Sequence, residues 1–297
     1  MTTIAATASA TTASADPAAA RMPVYFLSHG GGPWPYMQGQ MRERYAVLEQ
    51  SLRDIPAQLP APPKAILVVS GHWEEPELTV SSSPRPGMIY DYYGFPDYLY
   101  HISYPAPGSP ELAERVRRLL TDAGWPAHSD PERGYDHGTF SMLAPMYPRA
   151  DVPVVQLSMM ADMDPARHIA VGQALAPLRD EGVLILGSGL SYHNLRNWGP
   201  GAAAPSAAFD AWLRDVLLDT TPRERRQALT QWEQAPSARV AHPREDHLIP
   251  LMVVLGAAGD DPATRIYSED FMGAIAASSY RFGADRTPSR SDLLAAA

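Results

Sequence analysis

Nine histidines and no cysteine define the chemistry open to this 297-residue chain. Without thiols there is no disulfide scaffold, thiol nucleophile, iron–sulfur cluster or thiolate metal site. Any metal must be held by imidazole nitrogen and oxygen ligands. Three histidines have matching placements: His29 follows the run VYFLS, His72 follows AILVVSG and His193 follows VLILGSGLSY. Each run reads as a buried strand. Each histidine is therefore expected just beyond a strand's carboxyl end, where open α/β sheets bind ligands. His247 opens an apolar helical pattern, and its side chain is expected to turn toward the core. Several neutral imidazoles on one sheet edge suit a single ion with open coordination positions. In the absence of thiolates the candidates are Fe(II), Zn(II) and Mn(II).

His137 stands in Tyr135-Asp136-His137-Gly138, just before an apolar stretch. A carboxylate, an imidazole and a glycine in succession predict a loop that presents a proton donor. His101, His128, His168 and His242 read as ordinary packing or loop residues. Gly30, Gly31 and Gly32 read as backbone room for whatever His29 binds. No Lys-Ser/Thr follows these glycines and GxGxxG is not matched, so neither phosphate-cradle motif is present. The run Gly187-Ser188-Gly189-Leu190-Ser191 is not a nucleophile elbow, because neither serine has glycine at both −2 and +2.

The elements that must position these residues alternate between apolar runs and helical patterns. Strands are predicted at Pro23–His29, Lys64–Ser70, Glu77–Ser83, Val152–Met159, Val183–Gly187, Thr264–Tyr267 and Ala277–Phe282. Helices are predicted over Gln40–Ile55, from Pro110 with Ser109 as cap to Gly124, and from Pro165 with Asp164 as cap to Arg179. Further helices are predicted over Ser206–Leu218, Pro222–Gln234 and His247–Ala258. This order predicts an α/β fold, a single-domain sandwich with a central, mostly parallel or mixed sheet flanked by helices, over residues 22–283. Residues 1–21, rich in Ala, Thr and Ser, and residues 284–297 read as flexible tails.

The net charge is −9, from 24 basic and 33 acidic residues, and every basic residue except Lys64 is arginine. No basic stripe exists, which argues against a nucleic-acid partner. The apolar run Ile249–Ala258 is about half the length of a membrane span. The reading is a cytoplasmic protein, monomer or homodimer, acting on a small molecule.

Seven segments together carry a family likeness: FLSHGGGP (26–33), AILVVSGHW (65–73), IYDYYGFPDYLYHISYPAP (89–107), YDHG (135–138), VVQLS (154–158), LILGSGLSYHNLR (184–196) and HPREDHLIPLMVVLGAA (242–258). In this combination and order the chain resembles the class III, LigB-type extradiol ring-cleavage dioxygenases, and within them the DOPA-dioxygenase-like branch. The resemblance implies one mononuclear Fe(2+) or Zn(2+), with His29 and His72 as ligands and His247 as the last ligand. It implies His193 as the catalytic imidazole near the metal or as a fourth ligand, and His137 as a group that donates a proton or holds the substrate. In protocatechuate-cleaving relatives the third ligand is a glutamate, which brings Glu245 into consideration. With Asp246 expected to cap the helix that His247 opens, His247 is the expected ligand. The implied partners are a catechol and O2, and the implied product is a ring-opened semialdehyde. Tyr90, Tyr92, Tyr93, Phe95 and Tyr98 would line an aromatic pocket or pack on the sheet. Arg133 and Arg196 are the candidates for a substrate carboxylate. Two rival readings are a Zn-dependent hydrolase using the same imidazoles and a non-catalytic binding protein on the same scaffold.

Overall fold

A computed structural model of the chain describes residues 21–283. The expected tails lie outside the described residues, apart from Arg21, whose Nε stands 3.5 Å from the Asp180 carboxylate. Eight strands form one sheet: β1 (Val24–Ser28), β2 (Ala65–Glu75), β3 (Leu78–Ser81), β4 (Ala127–Asp130), β5 (Val154–Met160), β6 (Val183–Gly189), β7 (Ala263–Phe271) and β8 (Ile275–Phe282). Their spatial order is β4-β3-β5-β2-β6-β1-β8-β7. The inner four, β5-β2-β6-β1, run parallel, while β8 joins β1, and β3 joins β5, antiparallel. The sheet is mixed and its centre is parallel, as the alternating pattern predicts.

The helices are α1 (Gln40–Glu43), α2 (Ala46–Arg53), α3 (Pro110–Asp122), α4 (His137–Met146), α5 (Pro165–Leu175), α6 (Ala203–Leu218), α7 (Pro222–Thr230), α8 (Ala238–Ala241) and α9 (Ile249–Ala258). Ser109 caps α3 and Asp164 caps α5, each accepting a backbone N–H of the first turn. Every residue of α9 is buried, as expected for a helix that is apolar all round. It lies between the inner strands and α5.

Residues 187–189 show how tightly the two helical layers grip the sheet. Successive strand residues point to opposite faces. Ser188 Oγ donates to the Gly138 carbonyl of α4. A Cβ on Gly189 would come 2.1 Å from the His247 carbonyl oxygen, on the other face. The Gly-Ser-Gly run thus serves close packing on both faces and presents no serine nucleophile.

Several expectations require correction. The helix over 40–55 is two helices, because Tyr45 leaves helical geometry and stacks on Trp34 at 4.9 Å. His72 does not lie beyond a strand end but within β2, in the stretch between Val69 and Glu74 where the pairing to β5 loses register. His137 is not in a loop: it is the first residue of α4, with Asp136 capping through Thr139 N–H at 2.9 Å. His128 lies on β4 rather than in a loop. Helix α9 begins at Ile249, and Asp246 does not cap it; the Glu245 carbonyl accepts from Leu248 N–H at 2.7 Å and Ile249 N–H at 2.9 Å instead. The glycines after His29 make room for rings rather than a ligand: a Cβ on Gly32 would meet the Phe95 ring at 2.8 Å.

Candidate functional site

Five segments deliver five histidines to the end of the central strands: the end of β1 (His29), β2 (His72), the start of α4 (His137), the chain after β6 (His193) and the approach to α9 (His247). His29 follows β1, and its N–H donates to the Gly189 carbonyl at 3.2 Å while its carbonyl accepts from Trp34 Nε1 at 2.7 Å. His72 N–H donates to Ser70 Oγ at 3.2 Å. The His247 carbonyl accepts from Leu190 N–H at 3.1 Å, which ties the approach to α9 onto the end of β6. His193 N–H donates to the Ala241 carbonyl at 2.9 Å. The backbones of His29, His72 and His247 are thus tied to the sheet edge, and that of His193 to the end of α8.

The rings converge. One ring nitrogen from each of His29, His72 and His247 lies within 4.8 Å of the other two. His72 Nε2 and His247 Nε2 are 3.2 Å apart. Two ligands about 2.0–2.1 Å from one ion, at tetrahedral or octahedral angles, stand roughly 2.9–3.4 Å apart. Both ring nitrogens of His29 are buried and meet no hydrogen-bond partner, a costly state for a histidine in a protein interior. The donor set fits one ion. The His137 ring lies 3.9 Å from that of His72 and 5.2 Å from that of His29. His193 stacks on His247 with ring centres 3.4 Å apart and groups with Asp246 and His247 rather than with His29 and His72.

Burial keeps the rings of His29, His72, His193 and His247 neutral. Burial, then the other imidazoles, holds His29 and His247 well below the ordinary histidine range. Burial and His137 lower His72 to about 3, against the opposing pull of Asp91. Burial also lowers His193. Neutral imidazole is the form that binds metal.

Carboxylates orient the rings. Asp246 Oδ2 lies 2.9 Å from His247 Nδ1, leaving Nε2 toward the cluster. Asp91, which the sequence reading did not single out, lies 2.8 Å from His137 Nδ1 and 3.4 Å from His72 Nδ1. Burial pushes the Asp91 carboxyl up, but its side-chain and backbone hydrogen bonds from His137 and the facing His72 ring outweigh it and hold it below its ordinary range. Asp136, the neighbour of His137 in sequence, is committed elsewhere: it accepts from Ser70 Oγ at 2.9 Å and pairs with Arg133 at 2.7 Å. Arg133 is thereby engaged, its guanidinium also lying over Trp73 at 4.7 Å. Glu245 turns to Arg239, 2.6 Å away. Of the aromatic segment, Tyr92 is buried with its ring 6.0 Å from that of His137. Tyr93 is 91% exposed and Tyr98 is exposed as well.

The family model for the catalytic LigB subunit of aromatic ring-opening dioxygenase matches residues 23–283. The chain belongs to this LigB family. Among similar proteins, "4,5-DOPA dioxygenase extradiol" of Beta vulgaris is 44% identical over 225 residues, covering 74% of this chain and 83% of the relative. The Escherichia coli K12 protein of the same name is 37% identical over 269 residues, covering 89% of this chain and 95% of the relative. A crystal structure of an uncharacterised Escherichia coli K12 protein superposes with a TM-score of 0.71 at 33% identity, covering 89% of this chain and 100% of that one. This LigB-family protein is an extradiol ring-cleaving dioxygenase that uses a metal ion, an oxygen-incorporating oxidoreductase acting on an aromatic small molecule. None of its described helices is long and apolar enough to cross a membrane.

Proposed function

We propose that His29, His72 and His247 hold one Fe(II) ion and that the enzyme opens a catechol ring beside its diol, on a substrate of the DOPA type. The observation that carries this reading is the convergence of the three ring nitrogens within 4.8 Å, with His29 otherwise unpartnered. Iron is favoured over zinc because the reaction couples a catechol to O2, and zinc has no redox chemistry. When bound, the ion would supply one centre that polarises the diol oxygens and brings them into electronic contact with O2.

The remaining work falls to the chain. His193 stacks on His247 and is half-buried where His247 is buried, and it removes a proton from a substrate hydroxyl through its imidazole nitrogen. His137 is firmly held, with its Nδ1 and its backbone N–H both on Asp91. Its Nε2 is left to hold the substrate by accepting a hydrogen bond from a hydroxyl group. Buried Tyr92 and the surrounding rings give the approach an aromatic wall. The net charge of −9 supports a small-molecule substrate over a nucleic-acid partner.

The test is metal analysis of anaerobically purified protein, followed by oxygen uptake on a catechol panel that includes DOPA. One iron per chain and uptake with ring-opened product are expected. Uptake restored by zinc as well as by iron would sink the iron assignment, and a Glu245→Ala variant that alone loses metal would sink the ligand set.

A further inference from the structure

We propose that Asp91 is a positioning residue that sets the ring orientation of His72 and His137 together, and so links metal holding to substrate handling. The inference rests on the ligand set proposed above. Asp91 Oδ1 accepts from the His137 backbone N–H at 3.0 Å and faces His137 Nδ1 at 2.8 Å. Its Oδ2 faces His72 Nδ1 at 3.4 Å. An ionised carboxylate only accepts, so the hydrogen-bonded His137 ring carries its proton on Nδ1, and the same carboxylate favours the Nδ1–H form of His72 across the 3.4 Å contact. Both Nε2 atoms are then free. That of His72 points to His247 Nε2 at 3.2 Å, and that of His137 is the one nitrogen left for substrate. Carboxylate–histidine pairs of this kind fix tautomer and ring direction at metal sites.

The carboxylate is itself held firmly. Met88 bridges to Tyr135, and Ile89 N–H donates to the Tyr135 carbonyl at 2.8 Å. On either side of Asp91, Tyr90 Oη donates to the Ile102 carbonyl at 2.7 Å and Tyr92 Oη donates to the Leu99 carbonyl at 2.5 Å. The tyrosine-rich segment therefore serves partly as a strut for Asp91. Asp136 cannot take over this task, because Ser70, Arg133 and the first turn of α4 occupy both of its oxygens.

The two substitutions at this position separate its two contacts. Asp91→Asn keeps an oxygen for His137 but turns an amide donor toward His72 Nδ1, which favours the His72 tautomer with its proton on the metal-facing nitrogen. Asp91→Ala removes both contacts. Zinc affinity, measured by competition with a chromogenic chelator, is expected to fall 10- to 100-fold in Asp91→Asn. In 15N-histidine spectra of the zinc-loaded protein, His137 is expected to keep its Nδ1–H form in wild type and in Asp91→Asn and to lose it in Asp91→Ala. Asp97→Asn, an exposed carboxylate in the same segment, is expected to match wild type in both readouts. Circular dichroism melting identifies any variant that fails to fold, and Asp91→Asn carries the test if Asp91→Ala does. Wild-type zinc affinity in Asp91→Asn, with His29→Ala deficient, would overturn the role of Asp91 alone. Wild-type affinity in His29→Ala would overturn the ligand set beneath it. Two zinc equivalents per wild-type chain, reduced to one by Asp91→Ala, would make Asp91 a ligand and overturn the positioning role.

Discussion

His168 and His29 are both buried histidines, yet their polar atoms have opposite fates. His168 Nδ1 donates to the Asp164 carbonyl at 2.8 Å, and its Nε2 accepts from Met160 N–H at 3.1 Å. It is a structural clasp between the end of β5 and the start of α5. His242 is intermediate: its Nε2 bonds the Ser191 carbonyl at 3.0 Å, inside a wall that includes Phe209 and Trp232. His29 satisfies neither nitrogen. Burial alone does not separate a structural histidine from a functional one. The partners of its two nitrogens do.

The contrast can be broken most decisively at His29. His29→Leu should abolish stoichiometric metal binding and oxygen uptake. It should leave the metal-free protein as stable as wild type or more so, since two unmet buried nitrogens disappear. A metal-free melting temperature well below wild type would show that His29 is structural after all. Next in size is His193→Gln, expected to lower turnover by roughly 10²–10⁴ with metal content unchanged; loss of metal would instead make His193 a ligand. His168→Leu should do the reverse of His29→Leu. By stranding Met160 N–H and leaving the Asp164 carbonyl only its backbone bond from residue 168, it should cost about 1–3 kcal/mol in urea denaturation, with metal content per folded chain intact.

A smaller effect concerns pH. Burial lowers His168 from 6.5, opposed by its bond to Asp164, and lowers His242 to about 4. Both are neutral when folded, whereas the unfolded chain takes up protons near pH 6.5. Their stabilising contribution is therefore complete above pH 6.5 and declines as pH falls toward 4. His242→Phe should flatten the slope of stability between pH 7.5 and 5; an unchanged slope would show that His242 is not buried in its neutral form. The smallest change is expected from Glu245→Gln. It weakens only a partly exposed pair with Arg239, worth about 1 kcal/mol, and should alter neither metal content nor rate.

Much of the architecture was legible because its signals are local. The parallel strands are continuous apolar runs covered on both faces, and the Ser109 and Asp164 caps act within three residues. Helix α4 was missed because it is buried nearly throughout and contains Gly138 and Pro145. It shows no amphipathic period, and two of its residues disfavour helix. His72 looked like a strand end because apolar character stops at Ser70, whereas β2 continues past it with altered register. At the site, the histidine types and their strand contexts were readable. Asp91 was not: it meets His137 across 46 residues, and nothing local distinguishes it from other acids beside tyrosines. A repeated aspartate–tyrosine context around a His-bearing segment was the available signal, and it was weak.

The order of the strands has a consequence for synthesis. The cluster draws on residues 29, 72, 137, 193 and 247, and β1 and β2 are joined only through β6, which ends at Gly189. During translation the first two histidines leave the ribosome long before the strand that aligns them, and the last arrives later still. Pairing between such distant segments is slow. An ion held by the proposed cluster would therefore have to await residue 247, after all four inner strands have been made.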